Sequence, residues 1–141
     1  MYKVITFLFL FTAFSTAYAQ NTDRQFFDAP AKKRTMNERS VNKIFDAKKG
    51  ELVTLVMGDG SQVDFVVNMN EWNQESVRSI GGKLAGNLNT YITITQLDDA
   101  KGMLYEGSIV SKKSDTAFKI YGSNEAVYFE KTSKDKIIVT D

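Results

Sequence analysis

The sequence predicts a mainly β protein: an antiparallel meander curled into a sandwich or partial barrel, preceded by one N-terminal helix. Three observations carry this. From residue 51 onward the apolar residues recur with a period of two. Clusters of Gly, Asn, Asp, Ser and Lys interrupt the pattern about every 8–12 residues, the spacing of short antiparallel strands. No helical stretch separates the later strands, which argues against parallel βαβ units.

The elements follow in order. Thr35-Met36-Asn37-Glu38 fits the capping box that satisfies orphan N–H groups at a helix start. Val41, Ile44 and Phe45 then share one helical face, and Gly50 stands where a C-cap belongs, so the spacing predicts a helix over 35–48. Residues 51–57 and 61–67 flank Gly58-Asp59-Gly60 and read as a hairpin, with Val63, Phe65 and Val67 on the face turned to the core. Residues 68–75 read as an irregular polar connection carrying the only tryptophan, Trp72. Strands are then expected over 77–85, 88–97, 103–110, 117–121 and 126–130, with a last one at 137–139.

The N-terminus reads as an export signal. Lys3 supplies the positive start, residues 4–14 are almost entirely apolar, and Ala17-Tyr18-Ala19 is a small-x-small ending. The apolar run falls well short of the roughly 20 residues that span a bilayer. The expected organisation is a signal peptide at 1–19, a flexible basic leader at 20–34 containing Lys32-Lys33-Arg34, and a single β-rich domain with its helix at 35–141. The expected location is the periplasm or exterior of a bacterium, with no stable membrane anchor after processing. The absence of cysteine suits that compartment better than a disulfide-dependent eukaryotic secreted domain.

Composition restricts the chemistry. Among 141 residues there is no His and no Cys. A Ser-His-Asp triad, an imidazole base, a thiol nucleophile and a thiolate zinc site are all excluded. Loss of Lys3 with the signal leaves bases and acids equal in number, and a neutral domain is a poor ligand for nucleic acid. Charge is uneven along the chain, however. Residues 31–50 hold seven bases against two acids, whereas 51–75 hold five acids and no base. The helix either docks on the first hairpin partly by charge, or the two surfaces never meet.

The close carboxylate pairs, Glu71 with Glu75 and Asp98 with Asp99, are the material for a glycosidase. Adjacent aspartates in a turn ordinarily serve backbone hydrogen bonds instead. Gly82-Lys83 resembles the end of a phosphate-binding loop, but Val77 stands where its first glycine belongs. Trp72 either caps the end of a sheet core or anchors a partner. No catalytic residue, metal ligand or cofactor is expected.

Ser79-Ile80-Gly81-Gly82-Lys83-Leu84-Ala85-Gly86, Tyr91-Ile92-Thr93-Ile94, Tyr105-Glu106-Gly107-Ser108-Ile109-Val110, Ser114-Asp115-Thr116-Ala117-Phe118, Tyr128-Phe129-Glu130 and Ile137-Ile138-Val139 form a recurring glycine and alternation pattern. Together with the Gly58-Asp59-Gly60 hairpin, this makes residues 50–141 resemble the propeptide-type β module of secreted reprolysin-like (adamalysin-type) metalloproteases. No zinc-binding His-Glu-x-x-His helix follows, and no cysteine is present to block a zinc ion. The resemblance therefore implies a non-catalytic module that folds against, chaperones or inhibits a protein partner such as a protease. The candidate partner-binding residues are Trp72, Glu71, Lys32, Lys33 and Arg34. The alternative expectation is a periplasmic or surface protein that binds another ligand or neutralises a toxin.

Overall fold

The computed structural model describes residues 32–36 and 38–137. The expected signal peptide, most of the expected leader and residues 138–139 of the expected last strand lie outside them. The chain runs through β1 (Lys33–Met36), α1 (Glu38–Asp46), β2 (Leu52–Val56), β3 (Gln62–Gln74), β4 (Val77–Leu84), β5 (Thr90–Asp99), β6 (Gly102–Ser111), β7 (Thr116–Ser123) and β8 (Val127–Ser133). A 3₁₀ turn at Lys134–Lys136 follows. All eight strands form one antiparallel sheet in the order β1-β8-β7-β6-β5-β4-β3-β2. From β2 to β8 this is the predicted meander, and β1 adds to its far edge.

The sheet curls into a half-barrel until its two edges touch. Met36 at the end of β1 bridges Met57 just past β2, and the Gly58 N–H donates to Thr35 O at 2.7 Å. Two glycines permit the curl. A Cβ on Gly82 would lie 2.3 Å from Val66 O, and one on Gly107 would lie 2.1 Å from Thr93 O. Only a residue without a side chain lets neighbouring backbones approach this closely.

Alternation fills the concave side. Phe65, Phe118 and Phe129 are wholly buried among Leu55, Ile80, Ile92, Ile94, Ile109 and Ile120. Burial of each such side chain is worth about 1.5–3 kcal/mol. Val41, Ile44 and Phe45 of α1 close the open end of this core, with Phe45 tilted against Tyr105 at 6.2 Å between ring centroids.

Four boundaries differ from expectation, each for a physical reason. Thr35 is not a helix cap. It sits in β1 opposite Tyr128, because pairing with β8 and the Gly58 bond outcompete a local cap, and the helix starts three residues later. The strand also takes Lys33 and Arg34 out of the expected leader. Gly50 does not close the helix, which ends at Asp46; its N–H joins the sheet at Val67 O (2.7 Å) instead. Residues 68–74 are not an irregular connection. They continue β3 through a bulge between Val67 and Met69 and pair with β4 as far as Gln74.

Candidate binding groove and its rim

The bulge in β3 determines what the helix-covered end presents. Before it, Val63, Phe65 and Val67 point inward. One extra residue at the bulge shifts the alternation, so Asn70 falls opposite the inward-facing Ile80 and Trp72 opposite Arg78. Asn70 thereby reaches α1. Its amide donates to Phe45 O at 2.9 Å and Ala47 O at 2.7 Å, two carbonyls at the helix end where intrahelical partners run out. Its carbonyl oxygen accepts from Arg78 Nε at 2.9 Å. The Arg78 guanidinium is thus held 5.3 Å from the Trp72 ring and 5.9 Å from the Phe45 ring. Trp72 itself is 60% exposed, so it forms a rim beside the helix end and does not cap the core.

Between α1 and β2 the sheet is open. Beyond the Met36–Met57 bridge the chain leaves β1 for the helix, and β2 is left as the terminal strand. Glu51 O accepts from Val67 N–H and Met57 N–H donates to Ser61 O, so odd-numbered residues of this segment bond to β3. Leu52, Thr54 and Val56 therefore turn their backbone groups outward. The Val56 N–H is met by Ser40 Oγ at 3.2 Å. Those of Leu52 and Thr54 face a groove of about 570 Å³, walled by Ser40, Lys43, Asp46 and Ala47 on one side and by residues 51–54 with Val56 on the other. Leu52 is 61% exposed at its mouth.

The predicted site residues are not one cluster. Glu71 and Trp72 lie on β3 at the helix-covered end, with Glu71 exposed opposite Ser79. The basic trio lies at β1. Lys32 is exposed, and its carbonyl accepts from Lys131 N–H. Lys33 stands 4.0 Å from the Tyr128 ring and 5.4 Å from that of Tyr121, whose neighbouring hydroxyl holds the lysine pKa above its ordinary value. Arg34 turns into the seam, 3.7 Å from Asp59 and with Nη1 donating to Ser61 Oγ at 3.3 Å. The basic and acidic segments thus meet through β1 and the hairpin turn. Among the described residues, no group of three or more acidic side chains is placed to hold a metal. Asp99 accepts from the Ala100 N–H, the backbone role expected of a turn aspartate.

The groove escaped the sequence argument, although one signal pointed to it. Leu52, Val53, Leu55, Val56 and Met57 are apolar on both faces of a strand, which happens where a second element covers one side. No protein-family model, curated protein or solved structure matches this chain.

Proposed function

We propose that this chain is an exported, non-catalytic binding module that receives an extended segment of a protein partner along the outer edge of β2. One observation supports it above the others: β2 ends the sheet, with the outward backbone groups of Leu52 and Thr54 facing an open groove between this strand and α1. Such an edge gives affinity through main-chain pairing and selectivity through side-chain pockets. Leu52, Val53 and Val56 would take apolar side chains, while Trp72 and Glu71 at the nearby rim would meet flanking residues. A segment of a secreted protease is the partner class that the propeptide-like pattern suggests. The alternative of an apolar ligand inside the barrel is disfavoured, because Phe65, Phe118 and Phe129 occupy the interior.

Selection of displayed random peptides on the purified chain tests this, followed by amide hydrogen exchange of the bound state. Binders are expected to slow exchange at Leu52 and Thr54 and to lose affinity for Thr54→Pro. That substitution removes an outward N–H that proline can forgo at a sheet edge. Peptides that protect a different strand, or that bind Thr54→Pro equally well, refute the proposal.

A further inference from the structure

The end of the half-barrel away from α1 takes no part in the groove. Strand alternation gathers there the β2–β3 turn, whose Asp59 faces Arg34, together with the β4–β5 connection, the β6–β7 connection, and the tail of β8 with its 3₁₀ turn; the last three form one cluster. Backbone bonds tie these three together, from Lys112 N–H to Asn89 O at 2.8 Å and from Lys134 N–H to Asp115 O at 2.8 Å. The Lys134 ammonium adds a bond to Ser111 O at 3.1 Å. Over residues 83–91, 111–116 and 131–136 the sequence places six lysines (Lys83, Lys112, Lys113, Lys131, Lys134 and Lys136) against two carboxylates, Asp115 and Asp135. At the helix-covered end the turns have the opposite balance, with Glu71, Glu75, Asp98, Asp99 and Glu125 against Arg78 and Lys101.

In the lysine-rich end stands Leu88, in the loop Gly86-Asn87-Leu88-Asn89. At 74% it is the most exposed large apolar side chain among the described residues. Close by, the ammonium groups of Lys83 and Lys112 lie 5.6 and 5.4 Å from the Tyr91 ring. We infer that this end docks on an anionic phospholipid surface, with Leu88 entering below the headgroups and the lysines lying over their phosphates. Interfacial binding draws on two terms, apolar burial and attraction of basic residues to anionic lipid, and both are present at this end of the half-barrel. An acidic protein partner would engage the lysines and leave Leu88 in water, so the leucine favours the membrane. None of these residues lines the β2 groove, and the inference stands independently of the proposed peptide binding.

Co-sedimentation with phosphatidylcholine vesicles, with and without phosphatidylglycerol, tests it on the exported chain and on variants sharing its N-terminus. Binding is expected only where phosphatidylglycerol is present. Lys112→Ala with Lys113→Ala should weaken it about 25-fold, about fivefold per lysine from the roughly 1 kcal/mol each contributes at such a surface. Leu88→Ser should weaken it about fivefold, and neither variant should shift the thermal midpoint. Equal binding to neutral vesicles, or unchanged affinity of the double lysine variant, would overturn the inference. So would unchanged affinity of Leu88→Ser, and competition by soluble polyglutamate in that case would identify an acidic protein as the partner class.

Discussion

Asn70→Ala removes the side chain that joins α1 to the sheet, and its cost follows from three hydrogen bonds. Two go from the amide to Phe45 O and Ala47 O, and one comes from Arg78 Nε. A neutral bond contributes about 1 kcal/mol net, and one to a charged group about 1.5–3 kcal/mol. All three are partly buried, so the low end applies and the total is about 3 kcal/mol. That is a large share of the roughly 5–15 kcal/mol that separates folded from unfolded domains. With a urea m-value of about 2 kcal/mol/M, the midpoint should fall by about 1.5 M. Asn68→Ala, on the exposed side of the bulge, should change stability by less than about 0.5 kcal/mol. The assay is urea unfolding followed by tryptophan fluorescence, since Trp72 reports on the same rim. A cost below about 1 kcal/mol for Asn70→Ala, or equal costs for the two variants, would refute the account of how the helix is held.

Adjacent glycines should respond in opposite ways. Gly82→Ala drives a methyl to 2.3 Å from Val66 O and should cost about 2–3 kcal/mol, whereas Gly81→Ala meets its nearest atoms at 3.4 Å and should cost under about 1 kcal/mol. Thermal unfolding of both separates these outcomes. Phe65→Ala empties a wholly buried position and should cost about 3–5 kcal/mol in the same assay. The Asp59 carboxylate accepts bonds from the Ser61 side chain and backbone and lies near Arg34, which together hold its pKa below the ordinary aspartate value. Its stabilising contribution is therefore complete above the unfolded-state pKa and is lost as pH falls through the lower folded one. An NMR titration of Asp59 should give a midpoint below that of an unfolded aspartate, moving up towards it in Ser61→Ala; a midpoint at or above the ordinary value contradicts this.

Strand identity was legible because it rests on local alternation. The pattern at Tyr91-Ile92-Thr93-Ile94 and the turn signal at Gly58-Asp59-Gly60 each map onto the structure within a residue or two. What escaped depended on partners far along the chain. Thr35 has the residue spacing of a cap, but it stands in β1 opposite Tyr128 and its carbonyl accepts from the Gly58 N–H. Asn70 looks like loop composition until the bulge aims it at carbonyls 23 and 25 residues earlier. Of the candidate residues, Trp72 and its neighbour Glu71 stand out by composition alone, since a lone tryptophan in a polar stretch is visible without a fold. The groove was not, because an open edge is a property of the whole sheet order. Arg34 could not be separated from Lys32 and Lys33 in sequence, although only Arg34 turns into the seam.

The position of α1 also bears on how the molecule behaves in a crowded compartment. A terminal strand as apolar as β2 is a template on which further copies could stack end upon end. The helix stands across that template, with Ser40 already occupying one of its rungs at Val56. A second β2 approaching this edge would arrive with its own helix in the way, whereas the single peptide strand of the proposed function would not. The same element that walls the groove thus guards the sheet edge against edge-to-edge propagation.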